Sequence, residues 1–316
     1  MKFGLHNASF LPTTGDPRDV WPQLRERAQW MDASGFDYIS VMDHLWQIPG
    51  VGSQDEPFME GWMTLAALAE VTRNLHLTTL VTGVGYRNPG LVVKMVTTLD
   101  LISNGRAILG IGGGWYKQEY DAYGYGESED FPSPGTRLRQ LREAVELAKI
   151  LWAEPRANYQ GRHFSVKDAV LEPKPLQNPR PRILIGGGGE QVTLRIVAKE
   201  ADMCNFGGSG HEAFARKLDI LRSHCDEVGR DFAEIEPTLM DRVVIGATSS
   251  KAEDKWREQG ARERGGYKGL VGDPATVIGM LQEYQRVGVQ GLFLMIPNQD
   301  EETRNLLVSE IMPAFK

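Results

Sequence analysis

The side chain best suited to moving a proton in this chain is His44, which directly follows Asp43 in the run Ser40-Val41-Met42-Asp43-His44-Leu45-Trp46. An imidazole titrates near neutral pH and suits general acid–base work, and a neighbouring carboxylate could hold a hydrogen bond to a ligand. The alternative, a histidine that only braces a strand end, stays open at this stage. His6 offers the same chemistry after the first apolar run, and Trp46, Trp62 and Trp115 could wall a pocket for a planar ring or pack at a rim. Three glycine-rich runs, Gly110 to Gly114, Gly186 to Gly189 and Gly207 to Gly210, each follow an apolar stretch. Bare backbone of that kind lets a flat or phosphorylated ligand approach closely.

Several familiar chemistries are excluded. The third glycine of a dinucleotide-binding GxGxxG is replaced by Trp115 in one run and by Gln191 in another. No lysine precedes Ser or Thr, so there is no Walker A loop, and His211 stands where a GxSxG elbow needs its last glycine. HExxH is absent, and Cys204 and Cys225 follow no CxxC spacing, so neither a metal site nor a disulfide framework is expected. A formal net charge of -7 argues against nucleic acid as a partner, because neutralising phosphates needs clustered basic residues. No apolar run approaches the roughly 18 residues of a membrane span, and the N-terminus lacks a leader pattern, so a cytoplasmic, non-membrane protein is expected.

The elements that must position these residues alternate regularly. Short Val/Ile/Leu-rich runs predict strands at 2–7, 37–42, 75–82, 106–111, 182–186, 201–206, 235–245 and 290–296. Helix signals lie between them. Asp16-Pro17 precedes Val20, Leu24, Ala28 and Met31, with Gly35 as the stop; Ser133-Pro134 precedes Leu138, Leu141, Val145, Ala148 and Trp152; Asp273-Pro274 precedes Val277, Leu281 and Tyr284, with Gly288 closing. Eight strands alternating with helices predict an α/β protein of the (β/α)8 TIM-barrel class, in which catalytic residues lie at the C-terminal ends of strands. At 316 residues, 41% hydrophobic and 24% charged, the chain suits one such domain over 1–316. Two insertions exceed the minimal barrel. Residues 153–181 predict a small external hairpin about Gly161-Arg162, and residues 249–272 a charged helix followed by a mobile loop over the mouth.

At this point the chain resembles a known family. Thr79-Leu80-Val81-Thr82-Gly83, Tyr86-Arg87-Asn88-Pro89, Leu99-Asp100, Ile102-Ser103, Gly105-Arg106 and Leu109 through Trp115 resemble the luciferase-like monooxygenase superfamily. With Asp43-His44, Ile183 through Glu190, and Val271-Gly272-Asp273-Pro274, the likeness extends over essentially the whole chain and is greatest to the branch using the deazaflavin coenzyme F420. The resemblance implies an oxidoreductase that moves a hydride between F420 and a small organic substrate, with His44 handling the proton. It implies that Asp43 and Thr82 hydrogen-bond the ring, that Thr79-Leu80 carry a bulge with a non-prolyl cis peptide backing it, that Gly113, Gly114 and Gln118 line the ring and ribityl side, and that Gly187 and Gly188 take the phosphate. His6, Trp46 and Trp115 would line the substrate pocket. Two departures bear on substrate. Trp115 stands where the family's sugar-phosphate dehydrogenases have a glutamate acid/base, and Gly207 to Gly210 replaces their substrate-phosphate lysine, so a more apolar substrate is expected. The alternatives are a monooxygenase using reduced flavin mononucleotide (FMN) and dioxygen, and a non-catalytic flavin-binding barrel. A homodimer is the assembly the family would admit.

Overall fold

Each predicted strand run meets a neighbour of the same direction in the computed structural model, which describes residues 1–125, 131–260, 263 and 266–316. In chain order the strands are β1 (Lys2–Asn7), β2 (Tyr38–Val41), β3 (His76–Thr79), β4 (Thr82–Gly83), β5 (Ala107–Gly112), β6 (Ala157–Gln160), β7 (Ser165–Ala169), β8 (Arg182–Gly186), β9 (Met203–Gly207), β10 (Glu236–Ile245), β11 (Leu270–Gly272) and β12 (Gly291–Met295). The helices are α1 (Val20–Ser34), α2 (Gly61–Val71), α3 (Pro89–Ser103), α4 (Lys117–Ala122), α5 (Pro134–Ala153), α6 (Thr193–Glu200), α7 (His211–Val228), α8 (Ser249–Glu258), α9 (Pro274–Val287) and α10 (Glu301–Leu306). Parallel pairing runs β1, β2, β3 with β4, β5, β8, β9, β10, β12, and β12 returns to β1 with Lys2 opposite Gly291 and Leu5 opposite Leu294. The result is a closed eight-stranded barrel with helices between strands, the (β/α)8 architecture. No helix among the described residues is long and apolar enough to cross a membrane.

Local chemistry explains where the helices begin. Ser133 accepts from the Thr136 N–H and Asp273 from the Thr276 N–H, each followed by a proline in the first turn. Asp16-Pro17 acts differently from the expectation. The Asp16 carboxylate accepts from the Arg18 N–H and opens a 3₁₀ turn over Pro17–Asp19, and α1 starts only at Val20. Gly35 and Gly288 close α1 and α9 in the left-handed region, at φ 81° and 115°.

Between the strands and the outer helices lies the main core, with Ile39, Leu65, Leu77, Val96, Leu109, Leu141, Ile183 and Leu218 among its fully buried members. A second cluster fills the barrel: Tyr38, Leu80, Ile108, Leu184, Met203 and Phe293. Tyr38 stacks on Phe293 with ring centroids 5.2 Å apart, and its hydroxyl donates to Glu236, which also takes Lys2 Nζ at 2.6 Å and Arg182 at 3.0 Å. Lys2, Tyr38, Arg182 and Glu236 each begin their strand. They plug the N-terminal end, which leaves the opposite end for a ligand.

Two segments differ from the expected elements, and the 153–181 insertion forms the hairpin expected of it. The third stave, expected as 75–82, breaks after Thr79 and resumes at Thr82, because Leu80 and Val81 turn into the barrel's inner cluster. The cis peptide joins Leu80 to Val81, one bond beyond Thr79-Leu80. Within 153–181 the hairpin β6–β7 forms, anchored to α5 by Glu143, whose carboxylate accepts from the N–H groups of Arg162, His163 and Phe164. The 249–272 stretch gives α8 and then β11, an extra strand alongside the end of β10. The intervening loop expected over the mouth falls partly on residues 261, 262, 264 and 265, outside the described residues.

Candidate active site

The C-terminal ends of β2, β4, β5, β8 and β9 carry Asp43-His44, Thr82, Gly113-Gly114, Gly187-Gly188 and Gly208, so the predicted residues share one end of the barrel. Asp43 is buried and both its oxygens are engaged. Arg87 grips it with two nitrogens, at 2.7 and 3.0 Å, and the Thr82 hydroxyl donates to it at 2.8 Å. Burial raises the Asp43 carboxyl, and the guanidinium and hydroxyl bonds act against that rise. Arg87 reaches on to Glu60 at 2.5 Å, and Glu60 in turn caps α2 through the Met63 N–H. Burial works against the Arg87 charge, but the two carboxylates outweigh it and hold the guanidinium above its usual value. Trp62 donates its indole N–H to Thr82, and the Thr79 hydroxyl lies 2.9 Å from that of Thr82 while donating to the Gly110 carbonyl. Trp62 is thus part of the core beneath the site.

His44 is clamped from another side. Its Nδ1 lies 2.9 Å from Glu119 Oε2, and its ring meets Trp115 and Tyr116 edge-on at centroid distances of 5.8 and 5.9 Å. Trp115 stacks on Tyr116 and is itself 56% exposed. Trp46 faces Tyr116 and Tyr123, and its buried indole N–H has no hydrogen-bond partner among the described residues. His6 behaves differently. It is buried inside the barrel with Nδ1 2.9 Å from the Ser40 hydroxyl, and burial, followed by the charge of His44, pushes its pKa down to about 3. His6 is therefore a neutral hydrogen-bonding group at physiological pH, and of the two only His44 has a carboxylate partner.

The glycines divide into two groups. Gly83, Gly85, Gly113 and Gly114 line a crevice shared with Tyr86, Tyr120, Phe131, Arg137 and Gln140. A Cβ on Gly83 would stand 3.0 Å from the Tyr86 ring, and Gly114 has φ 69°, so side chains here would close the crevice or strain the backbone. Gln140 contributes a buried carbonyl oxygen with no partner among the described residues. Gln118 lies on the exposed side of α4, beside the Tyr116 hydroxyl. The second group turns from β8 towards α6. Gly187 has φ 118°, and a Cβ on Gly188 would meet Lys217 Nζ at 2.9 Å. Lys217, from α7, donates to the Gly188 carbonyl, and no described carboxylate pairs with it. Neither α6 nor α7 has a side-chain cap, as is also true of α1 and α4. Two free helix N-termini, a glycine turn and a lysine make an environment suited to an anion. Bare backbone at both turns, with the unpartnered Gln140 oxygen at the first and Lys217 at the second, is chemistry suited to a flat ligand that carries a phosphate.

Four residues central to this geometry were not singled out from the sequence: Glu119, Arg87, Tyr86 and Lys217. Arg87 and Tyr86 stood inside the Tyr86-Arg87-Asn88-Pro89 motif, and Glu119 is the residue after Gln118, so their positions carried a signal without revealing their partners.

The chain is 28% identical over 302 residues to a pyrimidine monooxygenase, RutA, of Stutzerimonas stutzeri, covering 84% of this chain and 81% of the relative. It is 32% identical over 223 residues to an F420-dependent glucose-6-phosphate dehydrogenase of Segniliparus rotundus, covering 69% of this chain and 63% of that protein. The fold matches the crystal structure of the monooxygenase RslO1 from Streptomyces bottropensis with a TM-score of 0.84 over the full length of both chains, at 19% identity. The family model for luciferase-like monooxygenases matches residues 1–267, and the chain belongs to that family.

Proposed function

We propose that the protein is an F420-dependent oxidoreductase acting on a small, largely apolar organic substrate, with His44 as the group that takes or returns the proton. The observation that carries this reading is the His44 ring: Nδ1 is committed to Glu119, and among the described residues nothing hydrogen-bonds Nε2. Bound in the mouth, the deazaflavin would supply a carbon that accepts or gives a hydride. Thr79 and Leu80 would back the ring, Gly113, Gly114 and Gln118 would line its ribityl side, and Gly187 and Gly188 with Lys217 would take the phosphate. Asp43, gripped by Arg87, and Thr82, which donates to Asp43, would meet the ring's polar edge. His6, Trp46 and Trp115 bound the substrate side, where the aromatic surface and the neutral His6 favour uncharged molecules. The protein's contribution is then to orient two π-systems and one proton carrier.

A second reading, a monooxygenase using reduced FMN and dioxygen, is favoured by the breadth of the match to the pyrimidine monooxygenase. Titration by fluorescence quenching separates the two. The F420 reading expects a dissociation constant for F420 about tenfold or more below that for FMN. Tight FMN binding with no F420 binding would transfer the assignment to the monooxygenase.

A further inference from the structure

Glu119 divides its two oxygens between two tasks. Oε1 accepts from the backbone N–H groups of Leu45 and Trp46, at 2.5 and 3.3 Å, which fastens the loop after β2 to α4. Oε2 takes no part in that fastening. It accepts from the Tyr86 hydroxyl at 2.6 Å and stands 2.9 Å from His44 Nδ1. The Glu119 side chain is 0% exposed and His44 14%. Burial opposes the Glu119 charge, but the bonds from His44, Tyr86 and Leu45 outweigh it and hold the carboxyl below the ordinary glutamate range. An ionised carboxylate has no proton to give, so the proton between Glu119 and His44 sits on Nδ1. A neutral ring protonated at Nδ1 carries its lone pair on Nε2.

We infer that Glu119 is the positioning residue for His44: Oε2 selects the tautomer whose Nε2 can receive a proton, and Tyr86 is the second donor that keeps this carboxylate in place. The inference rests on the reading of His44 as proton carrier. With a bound deazaflavin as the hydride acceptor, oxidation of a substrate alcohol would deliver the hydroxyl proton to Nε2. The imidazolium so formed lies against an ionised partner. In the reverse direction the Nε2–H returns the proton to the carbonyl oxygen as the hydride reaches carbon. Other charged or titratable groups near the ring are already committed or neutral: Asp43 is gripped by Arg87, His6 is buried and uncharged, and Tyr116 packs against the ring edge. In free histidine the Nε2–H tautomer is the commoner one, so enforcing the other form is a specific effect of the carboxylate and not a default of the ring.

The tautomer can be read directly by nitrogen NMR on protein labelled with ¹⁵N-histidine, without cofactor or substrate, with the His44 signals identified by their loss in His44→Gln. In spectra recorded where the ring carries a single proton, the expected His44 signals are those of Nδ1 protonated and Nε2 bare. In Glu119→Gln, whose amide can donate or accept, the Nδ1–H form should fall from the dominant to a minor population. Tyr86→Phe should retain the wild-type tautomer, since Oε2 stays ionised. A wild-type His44 that carries its proton on Nε2 would overturn the inference, and so would a folded Glu119→Gln protein with an unchanged His44 spectrum. A purely structural Glu119 would lower the melting temperature of Glu119→Gln and leave the tautomer alone. Should that variant not fold, the wild-type spectrum still decides. The cofactor reading fails separately, through absence of F420 binding in the titration above, and that outcome does not touch the tautomer measurement.

Discussion

His6 gives the most quantitative test of how the barrel treats its titratable groups. The ring is 5% exposed, its Nδ1 bonded to Ser40, and burial together with the charge of His44 lowers its pKa from 6.5 to about 3. The unfolded chain takes up a proton near pH 6.5, whereas the folded protein resists it until near pH 3. Between those values the unfolded state binds more protons, so the stabilisation is complete above 6.5 and is lost progressively as pH falls. At pH 5 the gap from 6.5 is about 1.5 units, which at about 1.36 kcal/mol per unit costs about 2 kcal/mol of folding stability. In the folded state the ring is neutral throughout this range. His6→Asn keeps a polar atom within reach of Ser40 and cannot titrate. Urea unfolding of both proteins at pH 7.5 and pH 5.0 should show the wild type losing about 2 kcal/mol more than the variant. Equal losses would refute the claim that His6 is held neutral, and with it the argument that only His44 of the two can carry a proton.

Other consequences concern the scaffold. Gly110→Ala would place a Cβ 1.9 Å from the Thr79 carbonyl oxygen, a backbone atom that cannot yield, and should cost more than about 4 kcal/mol or abolish folding. Gly279→Ala, inside α9 with nothing within 4 Å of the new atom, should instead stabilise by about 0.5 to 1 kcal/mol; thermal unfolding of the two variants ranks them, and the reverse order would discredit the steric reading. Glu143→Ala strips the acceptor from three N–H groups and should weaken the hairpin by about 1 to 3 kcal/mol, speeding proteolysis near 161–164 with F420 affinity unchanged. Cleavage at the wild-type rate would show that β6–β7 holds without this anchor.

Much of the barrel was legible because its signals are local. Ser133-Pro134 and Asp273-Pro274 name the first turns of α5 and α9 within four residues of chain, and the Val/Ile/Leu runs name the buried staves. Asp16-Pro17 misled by one step, since the same residues equally satisfy a 3₁₀ turn that hands over to α1. The break at Leu80-Val81 was signalled only by the family resemblance, one bond early, because in its own pattern an apolar run reads alike whether it extends a strand or fills the barrel. β11 has only three residues, too few for a period-2 pattern. At the site, residue types were legible and pairings were not. His44 and Asp43 announced themselves, but Asp43 meets Arg87 across 44 positions and His44 meets Glu119 across 75, and nothing in either local sequence says which charge faces which.

Those long-range pairings also bear on how the site can be rigid while lying on loops. The segment after β2 is only a few residues long where it matters, yet it is held at successive positions by groups from three other segments. Asp43 is held by Arg87 and Thr82, His44 by Glu119 at the ring, and Leu45 and Trp46 by Glu119 at the backbone. Arg87 is anchored in turn by Glu60, which caps α2, and it lies one residue before Asn88, which caps α3. The orientation of one imidazole thus depends on the starts of two barrel helices and on α4. Such coupling keeps a proton carrier near a productive geometry before any ligand arrives, which is where positioning contributes most to rate. It also predicts that Arg87→Met, though it touches neither His44 nor Glu119, should disturb the His44 nitrogen spectrum by loosening Asp43. If His44 keeps its wild-type signals in Arg87→Met, the two clamps act independently, and only Glu119 sets the ring.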